Sequence, residues 1–336
     1  MKNKKILFLY TGGHPLHLGF AKSINADIKK LSWKIPKNYD VYFTEGEFFK
    51  TVLLQKIGLI NKKSTIINLF SDPRLFYYNK GIHFNNKEQK VKRISFIKSK
   101  LFKFLLKKVN GVICVGKFEE ELLKKIYEGP YKKIDIFVER HWHSKLLRLS
   151  PNLDKKRIIF IGSGPDSYYK GIDILSNVAQ ELKDFEFIII GEKWDNFISL
   201  NKDKIPKNLK FIGKKNHEEI YKILKEGGMY LHLGRGEAFG IVIIEAMSAG
   251  IIPIISELTG AKEAVEKVDK RLIVPLEKEE VIKRIMEINS LDDYKKESLS
   301  KKCKKISKEF EEKKRLKEFK KNFLNLLDEI ENEKRR

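Results

Sequence analysis

Gly234-Arg235-Gly236-Glu237-Ala238-Phe239-Gly240-Ile241-Val242-Ile243-Ile244-Glu245-Ala246-Met247-Ser248-Ala249-Gly250 sets two glutamates eight positions apart, one in a glycine-rich turn and one inside an apolar run. That spacing is a little over two turns of α-helix, so both carboxylates can face one cleft. Glycines on either side of Glu237 let the backbone approach a ligand closely. A helix opening near Phe239 and Gly240 aims its free amides at the same place, where they suit a phosphate. Glu245 interrupts Ile241–Ile244 and Ala246–Met247, and a carboxylate in such surroundings is hard to keep charged without a partner. Buried ionisable groups in clefts mark functional sites. Together these features describe a site for a phosphorylated, hydroxyl-rich ligand. The competing reading, Glu245 as a solvated helix residue and Glu237 as a loop charge, suits an arbitrary pair better than this one.

Outward from this stretch, short apolar runs alternate with amphipathic segments. Ile6–Tyr10, Asp40–Thr44, Thr65–Phe70, Val112–Val115 and Ile134–Val138 form a first series. Ile158–Ile161, Phe185–Ile190, Leu209–Ile212, Met229–Leu233, Ile251–Ile255 and Leu272–Val274 form a second. Continuous apolar runs are the mark of parallel strands covered on both faces. Alternation with helical spacing, as in Phe118–Tyr127 and Ile172–Leu182, predicts an α/β doubly wound sheet, and two series predict two such domains. A connector at Leu149-Ser150-Pro151-Asn152 sets the expected division at residues 1–150 and 151–314.

The 336 residues suffice for two domains with sizeable cores, and a hydrophobic content of 42% is that of a globular chain. No apolar run approaches the ~18–20 residues of a membrane span. Only Ile6–Thr11 separates the N-terminal lysines from Gly12, too short for a secretory signal, so a cytoplasmic protein is expected. Cys114 and Cys303, the two cysteines, suggest neither a disulfide framework nor a zinc site. The net charge of +24 implies attraction to phosphates, anionic lipid or nucleic acid. The lysines are spread through the chain and no nucleic-acid-binding motif accompanies them, so nucleic acid is not an expected partner.

The stretch from Gly234 to Gly250, continued through Ile251–Ser256 and Thr259-Gly260-Ala261-Lys262-Glu263-Ala264-Val265, resembles the E-x7-E signature of retaining GT-B glycosyltransferases of the group 1, or family 4, class. The resemblance implies two Rossmann-like doubly wound domains facing across a cleft. It also implies that the last helix, about residues 315–336, packs back on the N-terminal domain. The N-terminal domain would then be the acceptor side and the C-terminal domain would hold a nucleotide sugar.

Other loops carry chemistry that suits this reading. Thr11-Gly12-Gly13-His14-Pro15 follows the first strand and resembles the family's glycine loop, with Gly12 and Gly13 facing the donor. Gly162 to Gly171 resembles the family's G-R-x(n)-K-G loop. Lys170-Gly171 matches it, but Ser163 stands where the arginine is expected. Family position makes Ile212 and Lys214 neighbours of the nucleobase. It places His14, Asp72 and Arg74 on the acceptor side. Asp-Pro at Asp72 is also an ordinary turn signal.

The implied reaction moves a sugar from a nucleotide diphosphate, UDP or GDP, to a hydroxyl of a sugar or lipid-linked acceptor, with retention. Lys170 and the amides near Ala238, Phe239 and Gly240 would stabilise the leaving diphosphate. Glu237 would hold the transferred sugar and Glu245 the ribose hydroxyls. Glu237 and Lys170 are therefore the expected catalytic pair. No Asp-x-Asp is present, so no metal is expected, and no cofactor is called for. A nucleotide- or polyanion-binding protein without transferase activity is the alternative, and Ser163 suits it. A GT-B epimerase would want more acidic and histidine groups. The segment Ile94–Val109 interleaves Lys98, Lys100, Lys103, Lys107 and Lys108 with aromatic and aliphatic residues. It reads as a basic amphipathic helix able to rest on an anionic membrane, which would make the protein peripheral on the inner face. A core-packed helix with a solvated lysine face is the other reading.

Overall fold

The computed structural model describes residues 4–12, 15–46, 48–71, 96–163 and 168–335. The chain divides into two compact units, Met1–Ile136 with Lys313–Arg336, and Phe137–Glu312. In the first, strands β1 (Ile6–Tyr10), β2 (Asp27–Lys30), β3 (Val41–Glu45), β4 (Thr65–Phe70), β5 (Gly111–Val115) and β6 (Tyr131–Ile134) form a parallel sheet in the order β2-β1-β3-β4-β5-β6. Helices α1 (Pro15–Ser23), α2 (Phe49–Lys56), α3 (Phe96–Leu106) and α4 (Gly116–Leu123) connect them. Strands β3, β4 and β5 are buried along their whole length, which is why their sequences are apolar at both parities.

Two strands of this sheet differ from the sequence expectation. β2 (DIKK) is polar and exposed at the sheet edge, with no hydrophobic period to betray it. The last strand is Tyr131–Ile134, not Ile134–Val138. Its lysines sit half-buried at the opposite edge, while Val138 lies in the second unit and bridges Glu311.

The second unit holds β7 (Arg157–Ile161), β8 (Glu186–Ile190), β9 (Leu209–Phe211), β10 (Met229–His232), β11 (Ile252–Ser256) and β12 (Ile273–Val274), in the order β12-β11-β10-β7-β8-β9. Its helices are α5 (Arg140–Leu147), α6 (Ile172–Glu181), α7 (Asp195–Leu200), α8 (His217–Lys225), α9 (Ile241–Ser248), α10 (Lys262–Val268), α11 (Lys278–Asn289) and α12 (Asp293–Ser307). The chain winds outward from β7 through β9, then restarts on the other side at β10. Strand order therefore reverses between β7 and β10, and in the first sheet between β1 and β3. Open α/β sheets bind ligands beyond the carboxyl ends of strands at such reversals.

A final helix, α13 (Glu312–Arg335), completes the first unit. Its stripe of Phe319, Phe323, Leu326, Leu327 and Ile330 is buried. The Phe319 ring lies 4.5 Å from Phe20 and 6.0 Å from Phe43, and Phe323 meets Phe43 edge-on at 5.3 Å. Each such side chain contributes about 1.5–3 kcal/mol by leaving water. Among the described residues no helix is long and apolar enough to cross a membrane.

Candidate active site

The loops after β7 and β10 meet at the strand-order reversal of the second unit. The first ends in the turn Tyr168–Gly171, and Gly171 has φ +71°. A Cβ there would lie 1.9 Å from the Leu233 carbonyl oxygen, so only glycine lets this loop rest on the end of β10. The contact sets Lys170 beside Glu237, with Nζ 2.5 Å from Oε2. The Glu237 backbone is pinned from both sides. Its N–H donates to Leu258 O at 3.0 Å and its carbonyl accepts from Gly260 N at 2.9 Å.

His232, the buried last residue of β10, brings Nε2 to 3.4 Å from the same carboxylate oxygen. Burial opposes the charged form of Glu237, but Lys170 and His232 outweigh it and hold the carboxyl well below the usual carboxylate range. The pair is therefore a fixed carboxylate with a bound cation. A diphosphate arriving here would take a share of the Lys170 charge.

Arg235 braces the same two loops. Its guanidinium makes a bidentate pair with Asp173 in the first turn of α6, at 2.7 and 2.8 Å. It also donates to Tyr168 O at 2.5 Å and stacks on the Tyr168 ring 3.6 Å from the centroid. The Arg235 N–H donates to Tyr169 O at 2.8 Å, and the Tyr169 hydroxyl donates to Gly236 O. Lys170 and Glu237 are thus held in register by hydrogen bonds on both sides of each.

Gly240 caps the start of α9 at φ +84°; Ile243 N–H donates to Gly240 O at 2.9 Å, and the Ile241 and Val242 amides ahead of it lie before the first helical hydrogen bond. The Phe239 ring is buried against Phe310, so only the backbone of Phe239 is available to a ligand. Glu245 lies on the second turn. Burial pushes its carboxyl up to about 7, and a hydrogen bond from the Trp142 indole opposes this in part. Trp142 is placed by its helix cap. The Glu139 carboxylate accepts from the N–H groups of His141 and Trp142, both at 2.9 Å, and the indole stacks on His217 with centroids 4.4 Å apart. Burial first, then the nearby carboxylates of Glu237 and Glu245, raise the Tyr230 hydroxyl well above its ordinary value, so both acids lie within electrostatic reach of one phenol.

The other residues singled out from sequence are distributed as follows. Ser163 is exposed just past β7, and Ile212 and Lys214 lie just past the edge strand β9, at the same carboxyl end of the parallel sheet. Gly162 N–H donates to Ile190 O at 2.9 Å and Gly191 N–H to Gly213 O at 3.0 Å, which ties these strand ends together. In the first unit, Gly12 is exposed after β1. The buried Glu45, at the end of β3, accepts from Thr11 N–H at 3.0 Å and pairs with His17 Nδ1, anchoring the loop at that sheet's reversal. Gly13, His14, Asp72 and Arg74 lie outside the described residues.

Sequence reasoning passed over His232, Arg235, Asp173 and Trp142. A histidine closing the apolar run Met229–Leu231, just ahead of a glycine turn, was the available signal for the first. The Arg235–Asp173 pair joins segments far apart in the chain and leaves no local trace.

Two parallel six-stranded Rossmann-like units, with a lysine–glutamate pair at the strand-order reversal of the second, define a GT-B fold. The family model for glycosyl transferases group 1 matches residues 145–312, half of the chain, and the protein belongs to that family. Among solved structures, sucrose-phosphate synthase from Thermosynechococcus elongatus superposes with a TM-score of 0.73 at 14% identity, over 97% of this chain and all of that one. Anabaena HepE in complex with UDP and glucose gives 0.70 at 16% identity over the same shares. At such identity the likeness concerns the fold alone. The GPI3 subunit of phosphatidylinositol N-acetylglucosaminyltransferase from Saccharomyces cerevisiae is 25% identical over 178 residues, 49% of this chain and 39% of that protein. Phosphatidyl-myo-inositol mannosyltransferase from Mycolicibacterium smegmatis is 27% identical over 128 residues, 36% of this chain and 33% of that protein. The matches thus span less than half the length of these curated relatives.

Proposed function

We propose that this protein is a retaining, metal-independent glycosyltransferase that moves a sugar from a UDP- or GDP-sugar to an acceptor hydroxyl in glycan, polysaccharide or glycolipid synthesis. The observation that carries the reading is the Lys170–Glu237 pair at the strand-order reversal, beside the open N-terminus of α9 and ahead of Glu245. The bond between the sugar's anomeric carbon and the diphosphate breaks, and a bond to the acceptor oxygen forms. The departing diphosphate takes the acceptor's proton. Lys170 and the α9 amides stabilise the charge that develops on the leaving group. Glu237, held ionised, orients the sugar hydroxyls, and Glu245 accepts from the ribose.

On this reading the second unit holds the donor and the first unit the acceptor. Relatives named for phosphatidylinositol acceptors favour a lipid-linked acceptor and a peripheral place on the cytoplasmic face of a membrane. The test is a thermal-shift screen with UDP, GDP, ADP and their sugars, followed by release of nucleotide diphosphate with a phosphatidylinositol acceptor. A rise in Tm with one nucleotide and acceptor-dependent turnover is expected. No shift with any nucleotide refutes the reading. Ser163 in place of the family arginine favours one second reading, a GT-B-like nucleotide-binding protein without transfer, for which Tm rises but no diphosphate is released with any acceptor.

A further inference from the structure

Glu237 is approached by two groups at one and the same oxygen. Lys170 Nζ lies 2.5 Å from Oε2, and His232 Nε2 lies 3.4 Å from that atom. The lysine makes the short, charge-assisted bond. The histidine stands beyond the about 2.7–3.2 Å of an ordinary N–H···O bond. Its Nε2 is a buried nitrogen with no hydrogen-bond partner among the described residues. A buried donor left unmatched is costly, and native structures keep few of them.

The imidazole is firmly held in this position. His232 closes β10 at 1% exposure, and its ring stacks on Phe160 with centroids 5.8 Å apart. A Cβ on Gly234 would lie 3.2 Å from Nε2 and 3.5 Å from the Glu237 Cβ, so glycine at that place leaves the room in which ring and carboxylate face each other. On the other side, Nδ1 stands 3.5 Å from the hydroxyl of the fully buried Tyr230. A phenol donating to Nδ1 leaves the ring proton on Nε2, aimed at Glu237.

The two neighbours of Glu237 differ in their freedom to move. His232 is enclosed by β10 and its aromatic neighbours. Lys170 reaches from a loop on a flexible stem, and its side chain is 25% exposed. A diphosphate beside the start of α9 draws Lys170 toward itself and away from Oε2. A buried carboxylate that loses its counter-charge needs another donor. Nε2 already waits at 3.4 Å, and a small turn of the Glu237 side chain closes that gap.

We propose that His232 is a positioning residue that takes over the Glu237 carboxylate when Lys170 turns to the diphosphate of the donor. This rests on the transferase reading of the site and adds to it a reason why the Lys170–Glu237 pair can open. Without the imidazole, releasing Lys170 costs more, and the diphosphate binds less tightly.

The test is a double-mutant cycle in the full chain, with UDP and GDP as probes and affinities read by calorimetry. His232→Leu removes the nitrogen and keeps an apolar side chain in its place. It should weaken binding of the preferred nucleotide by about tenfold, the size of an ordinary coupling between touching groups. With Lys170→Ala already present there is no lysine to release, and the same change should alter affinity by less than about twofold. His232→Gln, whose amide N–H can stand in for that of Nε2, should recover most of the loss. Equal affinity of wild type and His232→Leu overturns the proposal. So does the same loss in both backgrounds, which would mark a ring needed for packing alone. A second measurement uses no nucleotide and no variant of His232. In side-chain nitrogen NMR, Lys170→Ala should show the His232 ring proton on Nε2 and shifted downfield from wild type, as the bond to Glu237 shortens. An unshifted proton, or one on Nδ1, overturns the proposal even if His232→Leu fails to fold. If the wild type binds neither UDP nor GDP, the transferase reading fails, and this spectrum still decides whether His232 takes over the carboxylate.

Discussion

Replacing Glu245 by Gln separates what the carboxylate does for the fold from what it does for a ligand. Burial raises this carboxyl from the ordinary 4.5 to about 7. At about 1.4 kcal/mol per tenfold change in proton affinity, the displacement corresponds to about 3 kcal/mol at most. The sign follows from the direction. Between about pH 4.5 and 7 the folded chain holds this proton and the unfolded chain does not, so rising pH destabilises the wild type across that window. Glutamine does not titrate. The stability of Glu245→Gln relative to wild type should therefore be flat below pH 4.5, climb through the window and level off above pH 7, by about 3 kcal/mol or less. Denaturant unfolding of both proteins from pH 4 to 8.5 measures it. Parallel stability curves across the range would show that the carboxyl ionises as freely in the folded chain as in water. The same variant should bind a nucleotide sugar more weakly, by about 1.5–3 kcal/mol, because a charged acceptor for hydroxyls is gone. A more stable, weaker-binding protein is the signature of a group kept for its ligand.

Lys170→Ala should lower kcat by about tenfold or more, since the leaving diphosphate loses its cation, and unchanged steady-state rates would move the phosphate clamp elsewhere. Gly171→Ala forces a Cβ into the Leu233 carbonyl at a positive φ, and should lower the Tm of the second unit by an amount equivalent to about 1–3 kcal/mol, checked by calorimetry. Phe319→Ala opens a hole between Phe20 and Phe43 and should cost about 3–5 kcal/mol in chemical unfolding, and a loss below about 1 kcal/mol would mean that α13 is loosely held.

The fold was legible because its strands are buried on both faces. Val112–Val115 and Phe185–Ile190 announce themselves as apolar runs whatever lies around them. What escaped was at the edges, where β2 and β6 take lysines because one side of each has no neighbour to exclude water. At the site, the glycines around Glu237 and the Lys170-Gly171 pair were visible because a tight approach of two backbones demands specific residue types. His232 and the Arg235–Asp173 brace were not, because their chemistry depends on which strands lie side by side. Ser163 sits exposed at the end of β7, and the guanidinium of Arg235, on the loop after β10, is already committed to Asp173.

The chain leaves the first unit at Ile136 and rejoins it at Lys313. The second unit is thus inserted into the first, with Val138 and Glu311 bridged where the two connections run together. During synthesis the aromatic faces of Phe20 and Phe43 must wait, uncovered, until all of Phe137–Glu312 has been made and Phe319 follows. The second unit is continuous in sequence, whereas the first is completed only when α13 has been made, so until then its apolar faces remain a surface for chaperones to hold.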